Sequence, residues 1–121
     1  MLECKSSTQC LQKGRKYNDD GDYHRAMVLL QKGCDMENME ACTILGVIIN
    51  DASGVSRDPI RALNLFHKAC LGGFQNACLN AAVAYKRGEN GVSKDLNKAK
   101  SYYSRGCNLG DNFACSMLKT F

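Results

Sequence analysis

The chain has no tryptophan and a single proline, Pro59, so no large indole anchors a core and little interrupts helix formation. Nor does it hold a long apolar run. The most apolar piece, Ile44 to Ile49, falls far short of the roughly 18 residues that a membrane span needs. Cys-x-x-Cys does not occur, which removes the usual zinc spacing and the thioredoxin-type redox motif. The only two histidines, His24 and His67, sit in helical segments apart from the cysteines, so neither a metal nor another cofactor is expected. The net charge is +4, but no Lys/Arg block or aromatic-interleaved basic stripe accompanies it, and nucleic acid is not an expected partner. No stretch alternates polar and apolar residues between turn signals, and no β-sheet is expected.

What the sequence has in excess is cysteine, eight in 121 residues. An even count at regular spacing reads as a disulfide framework built in an oxidising compartment, here secreted or periplasmic. Met1-Leu2-Glu3 lacks the charged start and apolar core of a signal peptide. Export therefore calls for a leader before Met1 or another route.

Three cysteine pairs share one separation: Cys34 and Cys42, Cys70 and Cys78, Cys107 and Cys115. Aligning them exposes a repeat with offsets of 36 and 37 residues. Before each pair runs a segment opened by aspartate, at Asp22, Asp58 and Asp95, whose carboxylate suits the free amides of a first helical turn. Within these B helices Ala26, Leu30 and Gly33 match Ala62, Phe66 and Ala69, then Ala99, Tyr103 and Gly106. That i, i+4, i+7 pattern marks one face, small at its ends and large in the middle, against which another helix can pack closely.

After each pair comes an A helix, beginning at Ala41, Ala77 and Ala114, with a more polar version at Cys10 to Asn18. Turn signals join A to B at Asp19 to Gly21, Ser53 to Val55 and Gly88 to Val92. The expected fold is all-α: an α-solenoid of antiparallel helix pairs, each burying its face only against its neighbours. Its parts are a degenerate first repeat over about 10–34, repeats over about 41–70 and 77–107, and a capping helix over 114–121.

Eight positions let the chain leave one helix, turn and enter the next, so Cys70 bonded to Cys78 would lock the joint between repeats. Antiparallel packing also brings the start of an A helix near the end of its own B helix, which would pair Cys42 with Cys70 and Cys78 with Cys107. Spacing permits either. Closing so small a loop contributes roughly 2.5 kcal/mol per bridge on a chain-entropy estimate.

The run Ala62-x3-Phe66-x3-Cys70-x2-Gly73-x3-Ala77-Cys78, preceded by Gly54-Val55-x2-Asp58, resembles the Sel1-like repeat, a relative of the tetratricopeptide repeat. The stretch from Gly88 to Cys115 repeats it, and seven residues between paired cysteines is similar to the Helicobacter cysteine-rich proteins. The resemblance implies a right-handed superhelix and sequential pairing of the cysteines, leaving Cys4 with Cys10. The chain departs from it at Glu37, where Gly73 and Gly110 stand in the other joints. A left-handed residue there is expected instead at Asn38. Helix A's Leu45-Gly46 is Ala81-Ala82 in the third repeat.

The same resemblance brings β-lactam binding or slow hydrolysis into view, with a β-lactam or cell-wall fragment as ligand. One Ser-x-x-Lys occurs, Ser116 to Lys119, but eight serines and ten lysines produce such a pair by chance, and its companion motifs are missing. Glu37 and Glu40 read as helix-end charges, and His67 as an exposed helix residue. Cysteine-stapled Sel1 repeats are also similar to a mitochondrial intermembrane-space assembly protein, so an assembly factor is a further expectation.

The leading expectation is a scaffold that binds a protein or peptide partner. If the A helices line the concave face, as in tetratricopeptide-like stacks, the groove carries Arg15, Asn18, Thr43, Val47, Asn50, Leu79, Val83 and Lys86. Core packing competes as the role of Val47, Leu79 and Val83. Tyr17, Tyr85 and Tyr102 are aromatic candidates for binding hot spots, but Tyr17 and Tyr85 fall in register with Ile49, which favours packing.

Overall fold

A computed structural model describes residues 2–88 and 91–121. Among these the regular structure is entirely helical: α1 (Ser7–Asp19), α2 (Tyr23–Asp35), α3 (Met39–Asp51), α4 (Pro59–Leu71), α5 (Gln75–Arg87), α6 (Leu96–Asn108) and α7 (Asn112–Leu118). Helices α1, α3, α5 and α7 are the A set, and α2, α4 and α6 the B set. Each helix packs on the next in the chain, and the result is an α-solenoid. Of the third A-to-B turn, Glu89 and Asn90 lie outside the described residues.

The aspartates expected to open the B helices do so. Asp22, Asp58 and Asp95 accept from the amides of Arg25, Arg61 and Lys98 at 3.3, 3.1 and 3.0 Å. Arg25 also donates to Asp22 from its side chain, at 2.7 Å, and holds that carboxyl below its usual range. The A helices begin two residues earlier than their alanines suggested, at Met39, Gln75 and Asn112. Asn38, expected as the left-handed residue of the first joint, and Asp111 are N-caps that accept from Ala41 and Ala114 at 2.9 and 3.0 Å.

The large and small positions fit together as the periodicity implied. Leu30, Phe66 and Tyr103 are buried in the core, beside Gly14, Gly46 and Ala82 of the paired A helices. A Cβ on Gly46 would stand 2.6 Å from Phe66 Cε1, and one on Gly14 2.7 Å from Leu30 Cδ2. These glycines set how closely A and B approach. Across the joints, a Cβ on Gly33 would lie 3.1 Å from Ala41 Cβ and 3.3 Å from Cys10 Cβ, so α2 is held between α1 and α3.

The three equivalent disulfides pair sequentially, Cys34–Cys42, Cys70–Cys78 and Cys107–Cys115, each with Cα atoms 4.6 Å apart. Cys4 is bonded to Cys10, and all eight cysteines are used. The pairing of Cys42 with Cys70 is thereby excluded. Cys34, Cys42, Cys70 and Cys78 are almost fully buried and form an apolar cluster with Ala69 and Ala77. Four bridges place the protein in an oxidising compartment.

Each joint repeats one hydrogen-bond pattern. The third residue after the leading cysteine donates to that cysteine's carbonyl, and the fourth donates to the carbonyl just before it. In the first joint these are Glu37 to Cys34 and Asn38 to Gly33, both 2.9 Å; in the second, Gly73 to Cys70 and Phe74 to Ala69, both 3.0 Å. This is a Schellman ending, which needs a left-handed residue at its third position. Gly73 and Gly110 supply it with φ of 95° and 101°.

In the first joint Glu37 itself takes that conformation, with φ 66°, not Asn38 as expected. The reason is register. The hydrogen bonds fix the left-handed site three residues after Cys34, and Asn38 must stay extended, at φ −85°, to cap α3. A left-handed non-glycine residue costs about 1–2 kcal/mol. The compensating contact of Glu37 with Lys68, 3.5 Å at an exposed site, is worth little. Glu37→Gly is therefore expected to stabilise the oxidised protein by about 1 kcal/mol in denaturant melts. Unchanged or lower stability would show that Glu37 is not strained.

Candidate functional site

On the A side, α3 and α5 stand apart over α4 and leave a cleft of about 290 Å³. Its walls are Val47, Asn50 and Asp51 from α3 and Asn80, Val83, Ala84 and Arg87 from α5. Ala62, Leu63 and Phe66 of α4 form the floor, and Arg57 closes one end. Val47 and Val83 occupy the same register position in successive repeats and both line the cleft. Val47 remains 40% exposed at the mouth of this cleft. Arg57 Nε donates to the Asn50 carbonyl at 2.8 Å, holding the loop before α4 against the end of α3.

Three of the eight residues expected in the groove, Val47, Asn50 and Val83, line this cleft. The others lie elsewhere. Thr43 is 4% exposed, and its hydroxyl donates to the Met39 carbonyl at 2.9 Å, so it packs inside the stack. Leu79 is half-buried against the cluster of Ala82, Ala99, Tyr103 and Ala114. Lys86 turns toward the C-terminal end, with its ammonium 6.0 Å from the Phe121 ring. Arg15 and Asn18 are on α1, where Arg15 reaches Glu40 of α3 at 3.4 Å.

Sequence reasoning missed Arg57, Asn80 and Arg87. Arg57 sits in the turn before α4, and Asn80 shares its register position with Ile44, so neither stood out by repeat alignment. The cleft is amide-rich and apolar, bounded by two guanidinium groups and one carboxylate. Such a surface can accept a main chain by hydrogen bonding while an apolar side chain rests on Val47 and Val83.

The tyrosines pack. Tyr17, Tyr85 and Tyr102 lie against the main core cluster, with Tyr85 and Tyr102 stacked at 5.8 Å. Burial pushes the Tyr102 and Tyr103 hydroxyls above their usual range. His67 is exposed, with Nδ1 2.6 Å from Tyr102 Oη. Ser116 donates to the Asn112 carbonyl at 3.1 Å, the ordinary engagement of a helical serine. Lys119 is the residue that ends α7. Among the described residues no helix is long and apolar enough to cross a membrane.

A stack of antiparallel helix pairs whose A helices flank an open cleft defines a solenoid scaffold of the tetratricopeptide-like class. The Sel1 repeat profile matches residues 6–38, 40–74 and 75–111, and the chain belongs to the Sel1 repeat family. Solved relatives share the shape. A protective antigen present in uropathogenic Escherichia coli strains aligns with a TM-score of 0.85 and 25% identity, covering 93% of this chain and 25% of that one. A Sel1 repeat protein from Oxalobacter formigenes gives 0.83 at 25% identity, over 93% of this chain and 47% of that one. Helicobacter pylori cysteine rich protein B gives 0.74 at 22% identity, over 93% and 94%, a likeness of fold.

Among curated proteins, cytochrome c oxidase assembly factor 7A of Xenopus laevis is 28% identical over 100 residues, 78% of this chain and 43% of the relative. Cytochrome c oxidase assembly factor 7 of Danio rerio is 30% identical over 76 residues, 59% and 33%. The chain spans less than half the length of these curated relatives.

The placement of Ser116 yields a direct test of β-lactam chemistry. Purified protein is expected to hydrolyse nitrocefin no faster than its Ser116→Ala variant. Turnover that disappears with the substitution would establish a serine hydrolase.

Proposed function

We propose that this protein is a disulfide-stapled Sel1 scaffold that holds an extended segment of a partner protein in the cleft between α3 and α5. The observation that carries this reading is the equivalent pair Val47 and Val83, which line one cleft beside Asn50 and Asn80, with Val47 exposed and Val83 half-buried. Apolar contacts flanked by amides suit a peptide strand, whose backbone groups need partners once desolvated. The scaffold works in an oxidising compartment, and secretion or the periplasm is the location this reading takes.

A photo-crosslinking amino acid placed at Val47 or Val83 should capture the partner, whereas the same group at Lys100, on α6, should not. Equal labelling at all three positions would remove the cleft as the binding surface.

The curated relatives favour a second reading, in which the partner is a component of cytochrome c oxidase under assembly and the compartment is the mitochondrial intermembrane space. On that reading, cells lacking the protein should show less fully assembled oxidase on native gels. Reintroducing a Val47→Asp, Val83→Asp variant should not restore it. Full assembly without the protein would exclude this role.

A further inference from the structure

The charge of the chain is segregated in a way its linear order conceals. Helices α4 and α6 together hold Arg61, Lys68, Lys98, Lys100 and Arg105 and not one acidic residue, while the rest of the chain is close to neutral. On the B side these two helices flank a second groove, of about 460 Å³. Asn64, His67 and Leu71 form its α4 wall, at i, i+3 and i+7. Lys98, Ser101, Tyr102 and Arg105 form the α6 wall with the same helical spacing, and Tyr85 and Leu63 lie beneath.

The walls divide the lining by chemistry. Both strong bases are on α6, two turns apart, and the floor is aromatic and aliphatic. Lys98 is exposed, with Nζ 5.2 Å over the Tyr85 ring, which places its ammonium at the groove. Three ion pairs occur among the described residues, Arg15–Glu40, Arg25–Asp22 and Lys68–Glu37, and none engages Lys98 or Arg105. The bases of α4 that are occupied point the other way, Lys68 to Glu37 and Arg61 to Gln31 of α2. Leu71, 52% exposed, adds an apolar contact at one end.

We propose that this groove is a second docking surface, separate from the cleft on the A side, for an acidic segment of a partner polypeptide. Seven helical residues put Lys98 and Arg105 about 10 Å apart along the axis. That matches carboxylates three residues apart in a polyproline-II segment, which has three residues per turn and rises about 3.1 Å per residue, so that both lie on one face. An apolar side chain between the acids would rest on Tyr85 and Tyr102. The bases flank a recess, so a flat anionic bilayer would meet the helix crests and leave the floor uncovered. A nucleic-acid backbone would need a longer track of bases than one helix face provides.

The test uses a fluorescein-labelled peptide containing Glu-Leu-Ala-Glu, its Gln-Leu-Ala-Gln counterpart, phosphatidylglycerol vesicles and a single-stranded oligonucleotide, all against the intact oxidised protein. Anisotropy should report binding of the acidic peptide alone, weakening as salt rises. Lys98→Gln combined with Arg105→Gln should lower its affinity at least about tenfold. Lys100→Glu, on the opposite side of α6, makes a comparable change of net charge and should leave affinity within about twofold. Circular dichroism and thermal melts establish that each variant is folded. No binding of the acidic peptide, equal losses from Lys98 and Lys100 variants, or preferential binding of vesicles or oligonucleotide would overturn the proposal.

Discussion

The joint between repeats is the constraint on which the rest depends. A disulfide joins the last turn of a B helix to the first turn of the next A helix, and a Schellman pair of hydrogen bonds closes the same corner. Either device alone leaves freedom: the bridge permits several chain paths, and the hydrogen bonds can fray. Together they fix the angle at which each helix pair meets the next. Because the corner is nearly identical three times, small errors do not accumulate differently along the stack.

With the corners set, packing needs few large residues. One bulky side chain per B helix, Leu30, Phe66 or Tyr103, faces a glycine or alanine of the paired A helix, and small residues line the contacts across the joints. Volume is exchanged across the interface rather than added, which keeps the helices close and excludes voids. This economy explains how a chain without tryptophan and with one proline forms a well-defined core. It also leaves the outward faces of the helices free of structural duty, and both grooves lie there. Their rims carry side chains such as Val47 and Leu71 that remain exposed.

Much of this frame was legible because repeats let the sequence be read three times. Asp22, Asp58 and Asp95 agreed as helix starts, and the i, i+4, i+7 face could be checked against two copies of itself. The A-helix starts were harder, since Asn38 and Asp111 resemble turn residues as much as caps. Glu37 misled because intrinsic preference favours asparagine in a left-handed position, whereas the hydrogen bonds of the joint count residues from the cysteine. Local propensity lost to a geometric rule imposed by the fold.

The groove residues were least legible, and the reason is general. A residue's burial depends on neighbours about 36 positions away, which the helical period alone does not reveal. Thr43 and Val47 lie one turn apart on the same helix, yet the first is enclosed and the second is open. Charge shows the same effect more strongly. Read along the chain, the bases of 59–71 and 96–108 are scattered, with 24 residues intervening between the two helices. The solenoid sets α4 beside α6, so that the uncharged wall of Asn64, His67 and Leu71 stands across from Lys98 and Arg105, while Asp95 caps the start of α6. A recess with one basic and one uncharged wall is thereby assembled by stacking, and the stapled corners that fix the core also fix where the basic wall points.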